Sequence, residues 1–77
     1  MSAKNVEYEG IIYNITFESF GYSDSRFCVN DEPTSWCLSN NRLTDINAFK
    51  ETAKRAIKSY ISKQIAQENF DKWDGKL

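Results

Sequence analysis

The pattern of side chains changes abruptly near Asp45, and this change constrains the fold more than any other feature of the 77-residue sequence. Before Asp45, apolar and polar residues alternate in short runs, which is typical of β-strands with one buried face. After it, apolar residues recur every three or four positions, as on one face of an α-helix. Strands followed by a helix predict an α+β fold in which the helix packs on one face of a sheet.

Charge divides at the same place. Residues 1–45 carry three basic and seven acidic side chains, whereas residues 46–65 carry five basic side chains and one acidic one. Residues 66–77 add two basic and three acidic groups, so net charges of −4, +4 and −1 sum to −1. The opposed halves can attract each other within the fold, or one of them can face a charged partner.

The first hairpin is predicted around the turn Glu9-Gly10, because glycine readily takes a positive φ angle. Pairing Tyr8 with Ile11 brings the apolar side chains of both strands to one face. Residues 19–25 are rich in turn-forming residues and have no period, so they predict a loop.

A second hairpin is predicted to turn around residues 31–34, where Pro33 suits a turn. The register that places Cys28 opposite Cys37 puts the large apolar side chains on one face and both thiols on the other. Thiols in this arrangement can form a disulfide, although cytoplasmic proteins usually keep them reduced. The two hairpins together predict a four-stranded antiparallel sheet within residues 1–43.

An amphipathic helix is predicted over residues 44–66. Thr44 is the expected N-cap, and Asp45 follows it in the first turn, where the helix dipole favours a carboxylate. The apolar residues at helical spacing, which we expect to face the sheet, are Ile46, Phe49, Ala53, Ala56, Ile57 and Tyr60.

Residues 67–77 are predicted to form a C-terminal helical tail, whose arrangement stays open. On a continuous helix, Ala66, Phe70 and Trp73 would point about 120° away from the stripe that faces the sheet. Either the chain breaks near residues 67–69 and a short second helix folds back, or the helix continues. In the second case Phe70 and Trp73 are exposed and available to bind another molecule.

The chemistry available to the chain argues against an enzyme. Histidine, the usual general base, is absent, and no glycine-rich phosphate loop is present. Two cysteines supply only half of the ligands of a structural zinc site. We therefore expect no catalytic residues, no metal and no cofactor.

The sequence also predicts a cytoplasmic protein without membrane contact. No apolar run approaches the roughly 20 residues that span a bilayer. Residues 1–6 lack the apolar stretch of a secretory signal. Secreted domains that depend on disulfides usually contain more than two cysteines.

Surplus aromatic side chains are the first group of candidate binding residues, because aromatic residues are enriched at interface hot spots. They predict a non-enzymatic interaction module that binds a larger protein and inhibits or adapts it. They also allow a homodimer that forms through the C-terminal helix. In general character the chain is similar to short accessory proteins of bacteriophages and mobile elements. The expected anchors are Phe20, Tyr22, Phe70 and Trp73.

Basic side chains of the helix are the second group, and they give an alternative function as a nucleic-acid-binding module. The charge of the whole domain weighs against this alternative, because the chain is not basic overall and its acidic strands can balance the basic face of the helix. The residues that would contact phosphates are Lys50, Lys54, Arg55, Lys58 and Lys63.

Overall fold

A computed structural model of the chain describes residues 3–77. The four strands pair in the order β1-β2-β3-β4, every pair is antiparallel, and a single long helix packs on one face. The predicted α+β architecture is therefore confirmed. The elements are β1 (Lys4–Tyr8), β2 (Ile11–Phe20), β3 (Asp24–Val29), β4 (Glu32–Ser39), a 3-10 turn (Asn40–Arg42) and α1 (Ile46–Lys72).

The first hairpin has the predicted turn and register. Tyr8 pairs with Ile11 across the two-residue turn. Glu9 and Gly10 both have positive φ angles, of 51° and 83°. A two-residue turn with this geometry matches the right-handed twist of the two strands, and this match fixes their register.

The connection between β2 and β3 is much shorter than the predicted loop over residues 19–25. Phe20 pairs with Asp24, so both strands continue to the edge of a turn at residues 21–23. Gly21 has a φ angle of 72°, which a glycine adopts without strain. The predicted loop was therefore too long by two residues at each end, because strand pairing outweighed the turn-forming composition of this stretch.

The predicted register of the second hairpin is also wrong. Cys28 lies opposite Pro33, and Cys37 lies opposite Arg26, so the two thiols are not paired across the strands. Both thiols are free, with Cys28 buried and Cys37 partly buried. The chain tolerates Pro33 here because β4 is an edge strand of the sheet.

Two local features set the observed register. The turn residues are Asn30 and Asp31, with φ angles of 50° and 66°, whereas a later turn had been predicted. Between Arg26 and Cys28 the ladder is irregular, and the Thr34 hydroxyl bridges it by donating to the Phe27 carbonyl at 2.8 Å. The register differs from the prediction by an even number of residues, so each side chain keeps its predicted face.

The core lies between the sheet and the first half of α1. Phe49 packs edge-on against Phe27 and Phe17, with ring centroids 5.0 Å and 5.6 Å apart. Tyr60 packs edge-on against Tyr13 in the same way. The buried apolar cluster comprises Tyr13, Ile15, Phe27, Val29, Leu38, Ala53, Ala56 and Ile57.

The N-cap of helix α1 lies one residue later than predicted. Asp45 is the N-cap, and its Oδ1 accepts hydrogen bonds from the backbone N–H groups of Asn47 at 3.0 Å and Ala48 at 3.3 Å. Thr44 is therefore not the cap. An aspartate suits this position better, because its charge also complements the positive end of the helix dipole.

The helix does not break near residues 67–69 but continues to Lys72, so the second of the two arrangements that the sequence left open is observed. Every residue from 62 onward is exposed. At 1.5 Å per residue, the helix runs about 16 Å past Ile61, the last residue that packs against the core. Residues 62–77 are called the projecting segment below.

Candidate functional site

Two of the predicted aromatic anchors lie at the turn between β2 and β3, which we call the hairpin tip (residues 20–22). The Phe20 ring is 48% exposed, and the Arg26 guanidinium lies 4.9 Å from its centroid in a cation–π contact. Tyr22 is completely exposed. Arg26 thus holds Phe20 in place, whereas nothing among residues 3–77 covers Tyr22.

The other two anchors lie on the projecting segment. Their ring centroids are 6.4 Å apart, with Phe70 66% exposed and Trp73 49% exposed. The indole N–H of Trp73 donates to the Lys76 carbonyl at 2.9 Å, and Asp74 accepts from the Lys76 backbone N–H at 3.0 Å. These local bonds fix the Trp73 ring beside Phe70 without burying either side chain.

The structure places the two pairs of anchors at opposite ends of the molecule. The hairpin tip lies beside the start of α1, because Asn40 donates its backbone N–H to the Ser23 carbonyl at 2.8 Å. The helix leaves the sheet at the other end, where the Asn30 side chain donates to the Tyr60 hydroxyl at 3.3 Å. The four predicted anchors therefore form two separate surfaces.

Ala66 and two serines that the sequence analysis did not single out continue the aromatic surface along α1. Residues at positions 59, 62, 66, 70 and 73 are separated by steps of three or four, so they lie along one side of the helix. The helical spacing of these positions was visible in the sequence. The serines were missed because the sequence analysis followed apolar residues alone. We call this line the projecting stripe; it comprises Ser59, Ser62, Ala66, Phe70 and Trp73.

The basic side chains predicted for nucleic-acid binding are only partly brought together. Lys50, Lys54 and Lys58 recur every four residues, so they form one exposed row along the helix. Among residues 3–77, no carboxylate lies within ion-pairing distance of this row. The acidic strands therefore do not neutralise these three lysines by direct contact.

The two other predicted basic residues point elsewhere. Arg55 bonds to Glu51 at 3.3 Å and stacks over the Trp36 ring of β4 at 5.3 Å. Lys63 lies five residues after Lys58, which turns it about 140° around the helix from the row. The basic residues that share one surface are thus the three lysines alone.

A charged cluster lies on the open face of the sheet, which is the face away from α1. Arg26 donates two hydrogen bonds to Glu18 Oε1, at 2.6 Å and 3.2 Å, and the Cys28 thiol lies 3.6 Å from the same oxygen. The hydrogen bond and positive charge of Arg26 lower the pKa of Glu18. Burial raises the pKa of the Cys28 thiol, and the charge of Glu18 raises it further.

The pKa shifts in this cluster favour neither a nucleophilic thiolate nor a general acid. The raised pKa keeps Cys28 protonated near neutral pH, and a thiol is a much weaker nucleophile than a thiolate. The lowered pKa keeps Glu18 ionised and unable to act as a general acid. Across residues 3–77, no group of three metal-ligating side chains could hold a metal ion.

A shallow apolar cleft of about 360 Å³ opens between the edge strand β1 and the start of α1. Val6, Phe49 and Ala53 line it, and Lys4 and Lys50 stand at its rim. Its volume falls within the range of small-molecule sites, but it offers few polar groups that could orient a ligand.

No helix within residues 3–77 combines the length and the apolar character needed to cross a bilayer. No protein family, no curated protein and no solved structure matches this chain.

Proposed function

We propose that this chain is a non-enzymatic protein-interaction module that binds, and so inhibits or adapts, a larger protein in the cytoplasm. The observation that carries the proposal is the continuation of α1 past the sheet. It leaves Phe70 and Trp73 in contact with each other but outside the core. Large exposed aromatic side chains that lie together are typical of protein-binding surfaces.

The hairpin tip supports the same function. Phe20 is oriented by Arg26, and Tyr22 extends beyond it without any cover. A rigid aromatic side chain loses little conformational entropy when it binds, because it has only two rotatable bonds. Two such surfaces at opposite ends suit an adaptor, since each end can contact a different chain.

The proposal is tested by capturing partners from a nuclease-treated lysate of the cells that make the protein. A wash at about 0.5 M salt suppresses most contacts that depend on phosphate charge. We expect one stoichiometric protein partner. Its recovery should fall roughly tenfold or more when an anchor pair, Phe70 with Trp73 or Phe20 with Tyr22, is changed to alanine.

Ile12→Ala is the matched control, because Ile12 is 55% exposed but lies on the open face of the sheet, outside both surfaces. It should leave recovery unchanged. Unchanged recovery from both anchor variants, together with a fall of several degrees in melting temperature, would show that the rings stabilise the fold instead of binding a partner.

A second function is favoured by the unpaired lysine row, which could contact the phosphates of a nucleic acid. Changing Lys50, Lys54 and Lys58 together to glutamate should then abolish binding to a duplex in a fluorescence anisotropy titration. Its control is the same change at Lys63, Lys72 and Lys76, which alters the net charge equally but on the projecting segment. Equal losses from both variants would indicate a nonspecific charge effect.

A further inference from the structure

We propose that two copies of this chain pair through their projecting segments, antiparallel, with Ala66 at the twofold axis. The inference rests on the proposed function and divides it between the two surfaces, because it assigns Phe70 and Trp73 to a second copy and leaves the hairpin tip to bind the larger protein. That surface is the same stripe on a second copy.

The projecting stripe is graded in size from its base to its tip. Ser59 and Ser62 lie nearest the sheet, Ala66 lies in the middle, and Phe70 and Trp73 lie at the end. Ser62 and Ala66 are exposed, and Ser59 is partly buried. A helix surface that is small at one end and large at the other is complementary to an antiparallel copy of itself.

The spacing of the stripe makes this complementarity regular. When Ala66 of one copy faces Ala66 of the other, the two helices run in opposite directions from this point. A residue that follows position 66 in one copy therefore lies opposite the residue that precedes position 66 by the same number of positions in the other copy. Phe70 of one copy then meets Ser62 of the other, and Trp73 meets Ser59. Small residues at the contact allow the two helix axes to approach to the closer end of the usual 8–10 Å range.

The area available is sufficient for a weak dimer. A completely covered Phe or Trp side chain buries roughly 150–250 Å². Because Phe70 is 66% exposed and Trp73 is 49% exposed, the two side chains together can bury roughly 200–300 Å² more per copy in a dimer. With both copies and the surfaces that receive the rings, the total is about 1,000 Å². This total is below the roughly 1,200–2,000 Å² of stable interfaces and falls in the range of weak, concentration-dependent ones.

Charge does not oppose the pairing. The projecting segment contains three lysines and three acidic residues, a net charge of 3 − 3 = 0, and the whole chain carries only −1. Chains with a net charge near zero associate more readily than highly charged ones.

In this dimer the two hairpin tips lie at the outer ends, because each tip is at the opposite end of its own molecule from the projecting segment. The tips remain free to bind the larger protein. Pairing therefore produces a bivalent adaptor, and bivalence raises affinity when both sites can be engaged together.

Sedimentation velocity on the full chain tests the pairing directly. The apparent mass should rise from 8.9 kDa toward twice that value as the concentration is raised into the range of about 10–100 µM. Trp73→Ala should weaken the dimer roughly tenfold or more. A mass that stays at 8.9 kDa up to about 500 µM would overturn the proposal.

A charge exchange at position 66 tests the twofold axis. Ala66→Glu alone and Ala66→Lys alone should each be monomeric, because two like charges then meet at the axis, while an equimolar mixture should dimerise. Gln64→Glu and Gln64→Lys are the controls, since Gln64 is exposed but points about 160° away from Ala66 around the helix. Circular dichroism confirms that each variant keeps its helix.

Dimers that persist in both single Ala66 variants, or a mixture that stays monomeric, would rule out this register. A monomer that still loses its lysate partner when Phe70 and Trp73 are replaced would refute the pairing and leave the proposed function standing. A dimer that captures no partner protein from the lysate would support the pairing and refute the proposed function.

Discussion

At the scale of single residues, Arg26 connects two parts of the open face of the sheet. Its guanidinium bonds to Glu18 and stacks on Phe20, so it links the middle of the open face to the hairpin tip. The Glu18 and Arg26 side chains face each other across paired strands, where opposite charges stabilise a sheet. Arg26 thus orients Phe20, a candidate binding residue, and stabilises the β2–β3 hairpin through Glu18.

Changing Glu18 to Gln should make the stability of the protein less dependent on pH. The folded-state pKa of Glu18 lies below its ordinary value of 4.5, so the contribution of its charge is complete above that value. It is lost as the pH falls through the lower folded-state pKa. The difference in melting temperature between wild type and Glu18→Gln should therefore be largest near pH 7 and shrink between about pH 5 and pH 2.

Glu51→Gln provides the control for this measurement. It removes the other ion pair among residues 3–77, in which Glu51 and Arg55 are 56% and 53% exposed. Exposed pairs of this kind contribute little to stability. A difference for Glu18→Gln that stays constant across the pH range would show that the charge of Glu18 is not the source of the effect.

At the scale of elements, the start of α1 depends on one side chain. Asp45 satisfies two backbone N–H groups that would otherwise have no partner at the end of the helix. The helix is long, but its exposed second half receives no support from the core, so capping and local propensity matter more than in a fully packed helix.

Asp45→Ala should lower the free energy of unfolding by about 1 kcal/mol, whereas Thr44→Ala should change it by no more than about 0.5 kcal/mol. Urea denaturation followed by circular dichroism at 222 nm measures both values. The pair is informative because sequence reasoning predicts the cap at Thr44 and the structure places it at Asp45. A larger loss for Thr44→Ala would contradict the observed cap.

At the scale of the whole molecule, the chain is more extended than its length requires. Its radius of gyration is 14.4 Å, and its longest dimension is 48 Å. A compact chain of this length would have a radius of gyration of about 11–12 Å. The projecting segment accounts for the excess, because it lies beyond the sheet and buries none of its side chains.

The same substitution at two positions of α1 should separate the packed body from the projecting segment. Ile57→Ala should cost roughly 2–5 kcal/mol, because Ile57 is only 1% exposed and its removal leaves a cavity. Ile65→Ala, two turns later and 54% exposed, should change stability by less than about 0.5 kcal/mol. Similar losses at both positions in urea denaturation would mean that the projecting segment is packed in solution.

Local patterns predicted several elements correctly because the relevant interactions lie close together in sequence. The alternation along β2 and the turn at Glu9-Gly10 determined the first hairpin and its register. The register of β3 and β4 could not be predicted in the same way. It depends on a turn at Asn30 and Asp31, whose residue types favour positive φ but were passed over because Pro33 indicated a later turn. It also depends on a hydrogen bond between Thr34 and Phe27, which has no sequence signal.

The sequence by itself determined the fold class, the face that each strand buries and the absence of histidine chemistry, because periodicity and composition are local properties. Only the tertiary structure decided that α1 continues past residues 67–69, since both arrangements satisfied the local pattern. Only the tertiary structure separated Phe20 and Tyr22 from Phe70 and Trp73, because distances between elements follow from packing. The two candidate binding surfaces therefore follow from tertiary packing and not from any local pattern in the sequence.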